Sequence, residues 1–416
     1  MEDRKLLEQG QKNLDLAQRN MGALMKLAER FAKAKTFKGV RIAMALHVTK
    51  ETAMLVKTFI DGGAQVAITS CNPLSTQDDV VAALKKDGVE VYGYKGETRA
   101  DYYKFLHKVL AIKPHVTIDD GCDLVTEIHT KFPALIKNII GGCEETTTGI
   151  LRLRAMQKQG ALKYPVIAVN DNQTKHLMDN YYGTGQSTLD AIMRASNTLF
   201  AGKTVVVAGY GDCGKGVALR AKGMGANVIV TEIKPFRALQ ARYDGFRVMP
   251  MREAAPHGDI FITVTGNCEV LRPEHFKQMK NGAIMANSGH FDVEIDVKGL
   301  AKTASSRRRM RPYYDEYTLT ERGKKKYLYL VGEGRLANLV AAEGHPSEVM
   351  SISFCGQALA VEYLLKNKKR LKPGVYDLPE AIDTDISRLQ LETMSVKIDR
   401  LTPRQKKYLG GWEEGT

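Results

Sequence analysis

The sequence predicts an α/β fold: two doubly wound, Rossmann-like parallel sheets plus a small C-terminal helical tail. Three observations carry this. Apolar runs of strand length alternate with helix-period segments, the alternation comes in two series, and 37 Gly against 13 Pro suit many tight strand-to-helix turns. At roughly 100–200 residues per domain, 416 residues predict two or three domains with separate cores. Low-complexity and staple-dependent folds are thereby excluded.

Residues 5–34 carry Leu7, Leu14, Met21 and Ala28, with Ala17, Leu24 and Phe31 between, at the spacing of one amphipathic packing helix. From Gly39 the strands Val40–Leu46, Gln65–Thr69, Val89–Tyr94, Val116–Asp119 and Val166–Val169 alternate with helical stretches such as Glu51–Ile60 and Thr76–Lys86. Right-handed βαβ units follow. A second series starts at Thr204–Gly209 and runs through Val228–Thr231, Ile260–Val264 and Ala283–Ala286, with Ser187–Phe200 as a helical connector. Arg307–Lys326 reads as a polar, basic, exposed excursion; Leu328–Val331 is strand-like, and Val349–Leu365 is a helix apolar enough to pack back on the first domain. The expected division is 1–182 with 343–376 as a substrate-binding domain, 183–342 as a dinucleotide-binding domain, and 377–416 as an oligomerisation tail too charged for its own core.

Lys and Arg total 61 against 47 Asp and Glu, a net charge of +14. The excess gathers at Arg307–Arg311, Lys324–Lys326 and Lys366–Lys372 without interleaved aromatics, which suits solvated loops and steering of acidic metabolites rather than a nucleic-acid platform. Six cysteines (Cys71, Cys122, Cys143, Cys213, Cys268, Cys355) never reach CxxC spacing and read as reduced and intracellular. No signal-peptide core follows Met1 and no apolar run approaches ~18 residues, so a cytoplasmic protein without membrane partners is expected.

Gly209-Tyr210-Gly211-Asp212-Cys213-Gly214 is a GxGxxG turn between a strand and a helix, with Glu232 ending the next strand, 18 residues past the last glycine. Such a turn lets backbone approach a pyrophosphate at a helix N-terminus. Glu232 would accept from ribose hydroxyls and repel a 2′-phosphate, so NAD is expected, with Lys234 softening the preference slightly. Polar residues also crowd the strand ends of the first series. His47 follows one strand, Asp119-Asp120 a second and Asn170-Asp171 a third; Glu144-Glu145-Thr146-Thr147-Thr148 and Lys175 with Asp179-Asn180 add to them. Each has an ordinary structural explanation as turn former, cap or ion pair. Together at one sheet edge they suit acid–base chemistry by His47, Asp120, Glu145 and Lys175, and the carboxylates near Lys175 are expected to tune its pKa into a working range. No metal is expected, because Cys and His lack ligand spacing.

These segments resemble the S-adenosyl-L-homocysteine hydrolase family. The resemblance runs from Leu6 to Tyr408 and rests on Leu46-His47-Val48-Thr49, Ser70–Asp78, Asp119-Asp120-Gly121, Glu144–Gly149, Val169-Asn170-Asp171, Thr174-Lys175, Asp179-Asn180, Ala208–Gly216, Asn287–Asp292, Glu333–Asn338 and Gly344–Ser347. It implies reversible cleavage of the 5′ thioether of a nucleoside to adenosine and homocysteine, through NAD-dependent 3′-oxidation, elimination, water addition and re-reduction. It also implies a homotetramer whose tails reach a neighbour's NAD.

By the same resemblance, Lys175 is the partner or base at the 3′-OH, oriented by Asn170 and Asn180; Asp179 and Glu145 bind ribose hydroxyls; Asp120 is the base at C4′; His47, with His290 nearby, handles the thiol and water protons. Thr49, Glu51, Asn170, His345 and Met350 are implied substrate contacts. Thr146, Thr147, Thr148, Gly209, Gly211, Asp212, Gly214, Glu232, Asn287, Asn338, Arg404 and Tyr408 are implied cofactor contacts. Arg404, Thr184 and Cys143 depart from the common pattern, and the tail ends short, as in archaeal and bacterial members. Two other outcomes stay open: an S-inosylhomocysteine substrate, against which the Glu51 carboxylate argues, and an inactive NAD-binding homologue.

Overall fold

The computed structural model describes residues 2–321 and 323–415. Its strands are β1 Arg41–Ala45, β2 Gln65–Thr69, β3 Glu90–Tyr92, β4 Val116–Asp119, β5 Gly141–Glu144, β6 Pro165–Ala168, β7 Thr204–Ala208, β8 Asn227–Thr231, β9 Arg247–Val248, β10 Ile260–Thr263, β11 Ala283–Asn287, β12 Ser306–Arg311, β13 Tyr314–Glu321, β14 Lys324–Val331 and β15 Gly374–Tyr376. They form two sheets. The first has the order β15-β6-β5-β4-β1-β2-β3 and is parallel throughout; the second has the order β12-β13-β14-β11-β10-β7-β8-β9. Both are buried on two faces by helices, so their central strands are continuously apolar, as in Ile42-Ala43-Met44-Ala45 and Val205-Val206-Val207-Ala208.

Strand order reverses direction beside β1 and β4 in one sheet and beside β7 and β10 in the other. Such switch points open a crevice at the strand C-termini, where ligands bind. His47 and Asp120 leave the first; Gly209 and Thr265 leave the second.

Several elements differ from expectation. The N-terminal helix is two, Glu2–Asn20 and Gly22–Ala34, broken at Met21, where a side chain on Gly22 would press on Thr393. Strand β5 was unread because Gly141-Gly142 is a poor strand sequence; a Cβ on Gly141 would lie 2.6 Å from Leu364 Cδ2, so the helix Ser347–Asn367 packs there only on glycine. The basic excursion is no loop. It is an antiparallel hairpin extension, which makes the second sheet mixed rather than parallel. Arg307 and Arg309 pair with Asp315, Arg308 with Glu316 (2.9 Å) and Arg309 also with Glu333 (2.5 Å), so acidic residues on the neighbouring elements neutralise the run.

The tail divides. Helix Glu380–Thr393 packs on its own chain, with Ile386 fully buried, and Asp383 accepts from the Gln173 and Thr174 amides at 2.8 and 3.2 Å. Helix Pro403–Gly410 touches little: Tyr408 is 54% and Trp412 91% exposed.

Candidate active site

One cleft of about 1280 Å³ runs between the two sheet edges, larger than the ~300–1,000 Å³ of a usual small-molecule site. Its walls include His47, Thr49, Glu51, Asp120, Glu145 and Lys175 from the first sheet's side and Gly209, Gly211, Glu232 and Asn338 from the second's.

The deepest polar group is Lys175. Its Nζ lies 2.9 Å from Asp179 Oδ2, 2.8 Å from Asn180 Oδ1, 3.2 Å from Asn170 Oδ1 and 3.8 Å from Glu145 Oε1. The local backbone explains the convergence: after Gln173–Lys175 the chain widens into a π-helix over His176–Gly183, which re-aims Asp179 and Asn180. Asp179 is further bonded to His345 Nδ1, whose Nε2 lies 3.2 Å from Thr184 Oγ1. Burial opposes charge on Lys175, yet Asp179 and Glu145 outweigh it and push its pKa up. That corrects the expectation of a lysine tuned towards neutrality: in the free enzyme it is an ammonium and hydrogen-bond donor. Asp179 is held below the carboxylate range, against its burial, by Lys175 and His345. Burial raises Glu145 to about 7, partly offset by Lys175.

On the same wall Asp120 meets two imidazoles: His47 Nε2 is 3.4 Å from Oδ2 and His290 Nδ1 is 3.5 Å from Oδ1. His290 arrives from the second sheet and sits over Gly121, where a Cβ would be 2.3 Å from its Nε2. Burial lowers His47 to about 4, so it is neutral at pH 7. Its Nδ1 is 2.7 Å from Ser75 Oγ, and Ser75 donates to the Asn72 carbonyl at 3.1 Å. Nδ1 thus faces the Ser75 hydroxyl and Nε2 faces the Asp120 carboxylate.

The tandem acids split. Asp119 and Glu144, at the strand ends, are wholly buried braces: Asp119 accepts from the Val125 amide (2.9 Å) and Glu144 from Gly121 (2.8 Å). Burial lifts Asp119 to about 8 and raises Glu144 well above the usual range. Asp120 and Glu145 follow and face the cleft, because successive side chains turn to opposite sides. Glu145 is fixed from behind by Ser353 (2.6 Å) and Gln357, one helical turn apart on Ser347–Asn367. Sequence reasoning missed both, along with Ser75 and Cys71; Ser347–Asn367 also carries Ser347 and Ser351 buried, so nothing local singles these two out.

At the outer end, Thr49 caps the helix Lys50–Asp61, and Glu51 in its first turn accepts from Ser347 Oγ at 2.7 Å, with Lys50 Nζ 3.2 Å away. Met350 and His345 line the same end.

The second sheet offers a different surface. Gly209 adopts φ +105°, Gly211 caps the helix Asp212–Gly223, and a Cβ on Gly214 would lie 2.0 Å from the Gly209 carbonyl. Glu232 accepts from the Tyr210, Ile233 and Lys234 amides at 2.8, 2.6 and 2.9 Å; these lower its pKa against partial burial and keep it anionic. Arg237, unread in the sequence, lines the cleft close to Gly211. The residues fit NAD on one independent observation: Asn338 Oδ1 is buried at the cleft wall without a protein partner, while its Nδ2 is committed to Ser187 at 3.0 Å. Thr146, Thr147, Thr148 and Asp212 line the same space.

Three implied cofactor contacts are not brought there. Asn287 spends its amide on the Gly289, Phe291 and Gly334 carbonyls and so shapes the loop bearing His290. Arg404 and Tyr408 lie on the exposed terminal helix, outside this chain's cleft.

Family models and curated relatives match the chain. Residues 1–131 match the S-adenosyl-L-homocysteine hydrolase family model and residues 180–344 the model of that family's NAD binding domain. The chain is 58% identical to the S-inosyl-L-homocysteine hydrolase of Methanocaldococcus jannaschii, covering 100% of this chain and 99% of that one. It is 55% and 54% identical, over the same shares, to the adenosylhomocysteinases of Aquifex aeolicus and Saccharolobus solfataricus. With a nicotinamide-type cleft and a lysine–carboxylate cluster joined in one space, and with matches of this length, the chain belongs to the S-adenosyl-L-homocysteine hydrolase family.

Proposed function

We propose that the protein hydrolyses S-adenosyl-L-homocysteine reversibly to adenosine and L-homocysteine. The observation that carries this is the union, in one cleft, of the Lys175–Asp179–Asn180 cluster, with Asp120 and His47 on the same wall, and the Gly209–Gly214 turn opposite. NAD, when bound, supplies reversible hydride removal at the ribose 3′ carbon, which acidifies the neighbouring C4′ proton.

In this reading the residues divide by position along the ribose. Lys175, held by Asn170 and Asn180, donates to the 3′ oxygen, and Asp179 and Glu145 accept from ribose hydroxyls. Asp120 takes the C4′ proton; neutral His47, able both to give and to take a proton, manages the protons of the leaving thiol and the entering water, with His290 closing the group. Thr49, Glu51, His345 and Met350 surround the base. Thr146, Thr147, Thr148, Gly209, Gly211, Asp212, Gly214, Glu232 and Asn338 hold NAD. Asn287 acts through the loop it ties. Residues 1–182 with 343–376 form the substrate domain and 183–342 the NAD domain. The exposed terminal helix, with Arg404 and Tyr408, suits a homotetramer in which each tail completes a neighbour's NAD site. A reduced cytoplasmic setting suits the free cysteines, and among the described residues no helix is long and apolar enough to cross a membrane.

Incubating the purified protein with S-adenosylhomocysteine, without added nucleotide, tests the reading. Adenosine without net NADH supports it; no adenosine, even with NAD supplied, refutes it. S-inosylhomocysteine is the second reading, favoured by the 58% identity to the S-inosyl-L-homocysteine hydrolase of Methanocaldococcus jannaschii. A direct competition between the two substrates decides between them.

A further inference from the structure

Cys71 has no part in the proposed reaction, yet it is buried against the proton-transfer groups. It leaves the turn after β2, and its Sγ lies 3.6 Å from Asp120 Oδ2, the same oxygen that His47 Nε2 approaches at 3.4 Å. One donor atom from each of the three residues falls within 4.8 Å of the others. A tetrahedral Zn²⁺, with bonds of about 2.0–2.2 Å to N and O and ~2.3 Å to S, sets neighbouring ligands roughly 3.3–3.6 Å apart. The two measured separations through Asp120 match those edges. The donor chemistry agrees too: thiolate, imidazole and a single carboxylate select a borderline-soft cation over Mg²⁺ or Ca²⁺, which take all-oxygen shells.

A second observation is independent of these distances. A metal-binding imidazole is normally fixed through its other nitrogen, which sets the tautomer. Ser75 does this for His47: Nδ1 is bonded to Ser75 Oγ at 2.7 Å, which turns Nε2 towards Asp120 Oδ2 and the cluster. His290 lies 3.5 Å from the other oxygen of Asp120 and leaves Oδ2 to the cluster.

We propose that His47, Cys71 and Asp120 form an inhibitory Zn²⁺ site within the active cleft. Binding forms the N, S and O bonds to the cation and releases the thiol proton to solvent, with no change of oxidation state. The cation then occupies the His47 lone pair and the Asp120 carboxylate together, which removes both groups from proton transfer. The inhibition rests on the proposed function; the binding does not.

The test uses the enzyme as isolated with its nucleotide, freed of adventitious metal, and Co²⁺ as the probe. The expected result is one Co²⁺ per chain with a thiolate-to-cobalt charge-transfer band, together with loss of hydrolysis on adding Zn²⁺ and recovery with EDTA. Cys71→Ser should abolish the band and raise the half-inhibiting Zn²⁺ concentration at least about tenfold relative to that variant's own rate. Cys268→Ser, at the exposed thiol, should change neither. A band that survives Cys71→Ser, or an unchanged half-inhibiting concentration, overturns the proposal. If Cys71→Ser does not fold, the zinc X-ray absorption edge of the parent chain decides: a shell with one sulfur supports the site, and a shell of N and O alone refutes it. A chain that binds cobalt as described but hydrolyses neither homocysteine thioether would refute the proposed function and leave the metal site standing.

Discussion

The two sheet edges that face each other across the cleft are built on opposite principles. On the first sheet the ligand surface is made of side chains: Lys175, Asp179, Asn180, Glu145, Asp120 and His47 are brought together from four strand ends and a π-helix. On the second it centres on backbone, a glycine turn ahead of a helix N-terminus, flanked by polar side chains such as Glu232, Arg237 and Asn338. The first must hold charge without water and does so by mutual pairing and buried hydrogen bonds; the second must let a long anionic ligand come close and does so by omitting side chains. Changes at the two edges should therefore fail differently.

The largest effect is expected at Asp120→Asn, which keeps shape and removes the base. Turnover should fall about 10²–10⁴-fold while bound NAD is retained, measured by kcat beside cofactor content after denaturation. Loss of NAD in step with turnover would break the separation of the two edges. Gly214→Ala is the opposite case. Its methyl would press on the Gly209 carbonyl, so NAD occupancy should collapse and melting should report about 1–3 kcal/mol of lost stability, with the first-sheet cluster intact.

These contrasts track what was legible in the sequence. The glycine turn and Glu232 are local and were read in place, because a backbone site is written in consecutive residues. Most central strands were legible for the same reason; β5, where glycine hides a strand that only a distant helix explains, the short edge strands β9 and β15, and the polar hairpin β12–β13 were not. The side-chain edge was legible as an inventory but not as a geometry. Nothing in Asp119-Asp120 or Glu144-Glu145 says which acid braces and which faces the ligand; strand alternation decides that only once the strand ends are known. Ser353 and Gln357 lie more than 200 residues from Glu145 in sequence and have no local mark. The Arg307–Arg311 run misled because its neutralising partners lie on neighbouring elements.

A smaller effect separates the edges through pH. Glu145 has a folded pKa raised by burial to about 7 from 4.5, so the folded state binds that proton more tightly than the unfolded chain. Its stabilising contribution is full below pH 4.5 and is lost as pH rises through 7. Glu145→Gln, which stays neutral, should flatten the decline of Tm between pH 5 and 8, while Glu232→Gln at the other edge leaves that slope in place. An unchanged slope in Glu145→Gln would mean that Lys175, Ser353 and Gln357 already hold the carboxylate ionised.

The smallest expected effect is the most specific to the side-chain edge. Ser75 touches no proposed substrate atom; it acts only through His47, whose Nδ1 it holds at 2.7 Å. Ser75→Ala removes the hydroxyl that holds Nδ1, so the ring is free to turn. Only the fraction of rings still aligned with Asp120 transfers protons, so kcat should fall several-fold, up to about tenfold, with KM nearly unchanged. Because His47 is held neutral by burial rather than by Ser75, the acid limb of the kcat profile should stay near its parental position. Ser75→Thr, which restores a hydroxyl, should recover most of the rate. A rise in KM with kcat unchanged would assign Ser75 to substrate binding instead. A fall in bound NAD would show that the two edges, separate in their chemistry, are coupled through the turn that carries Ser75.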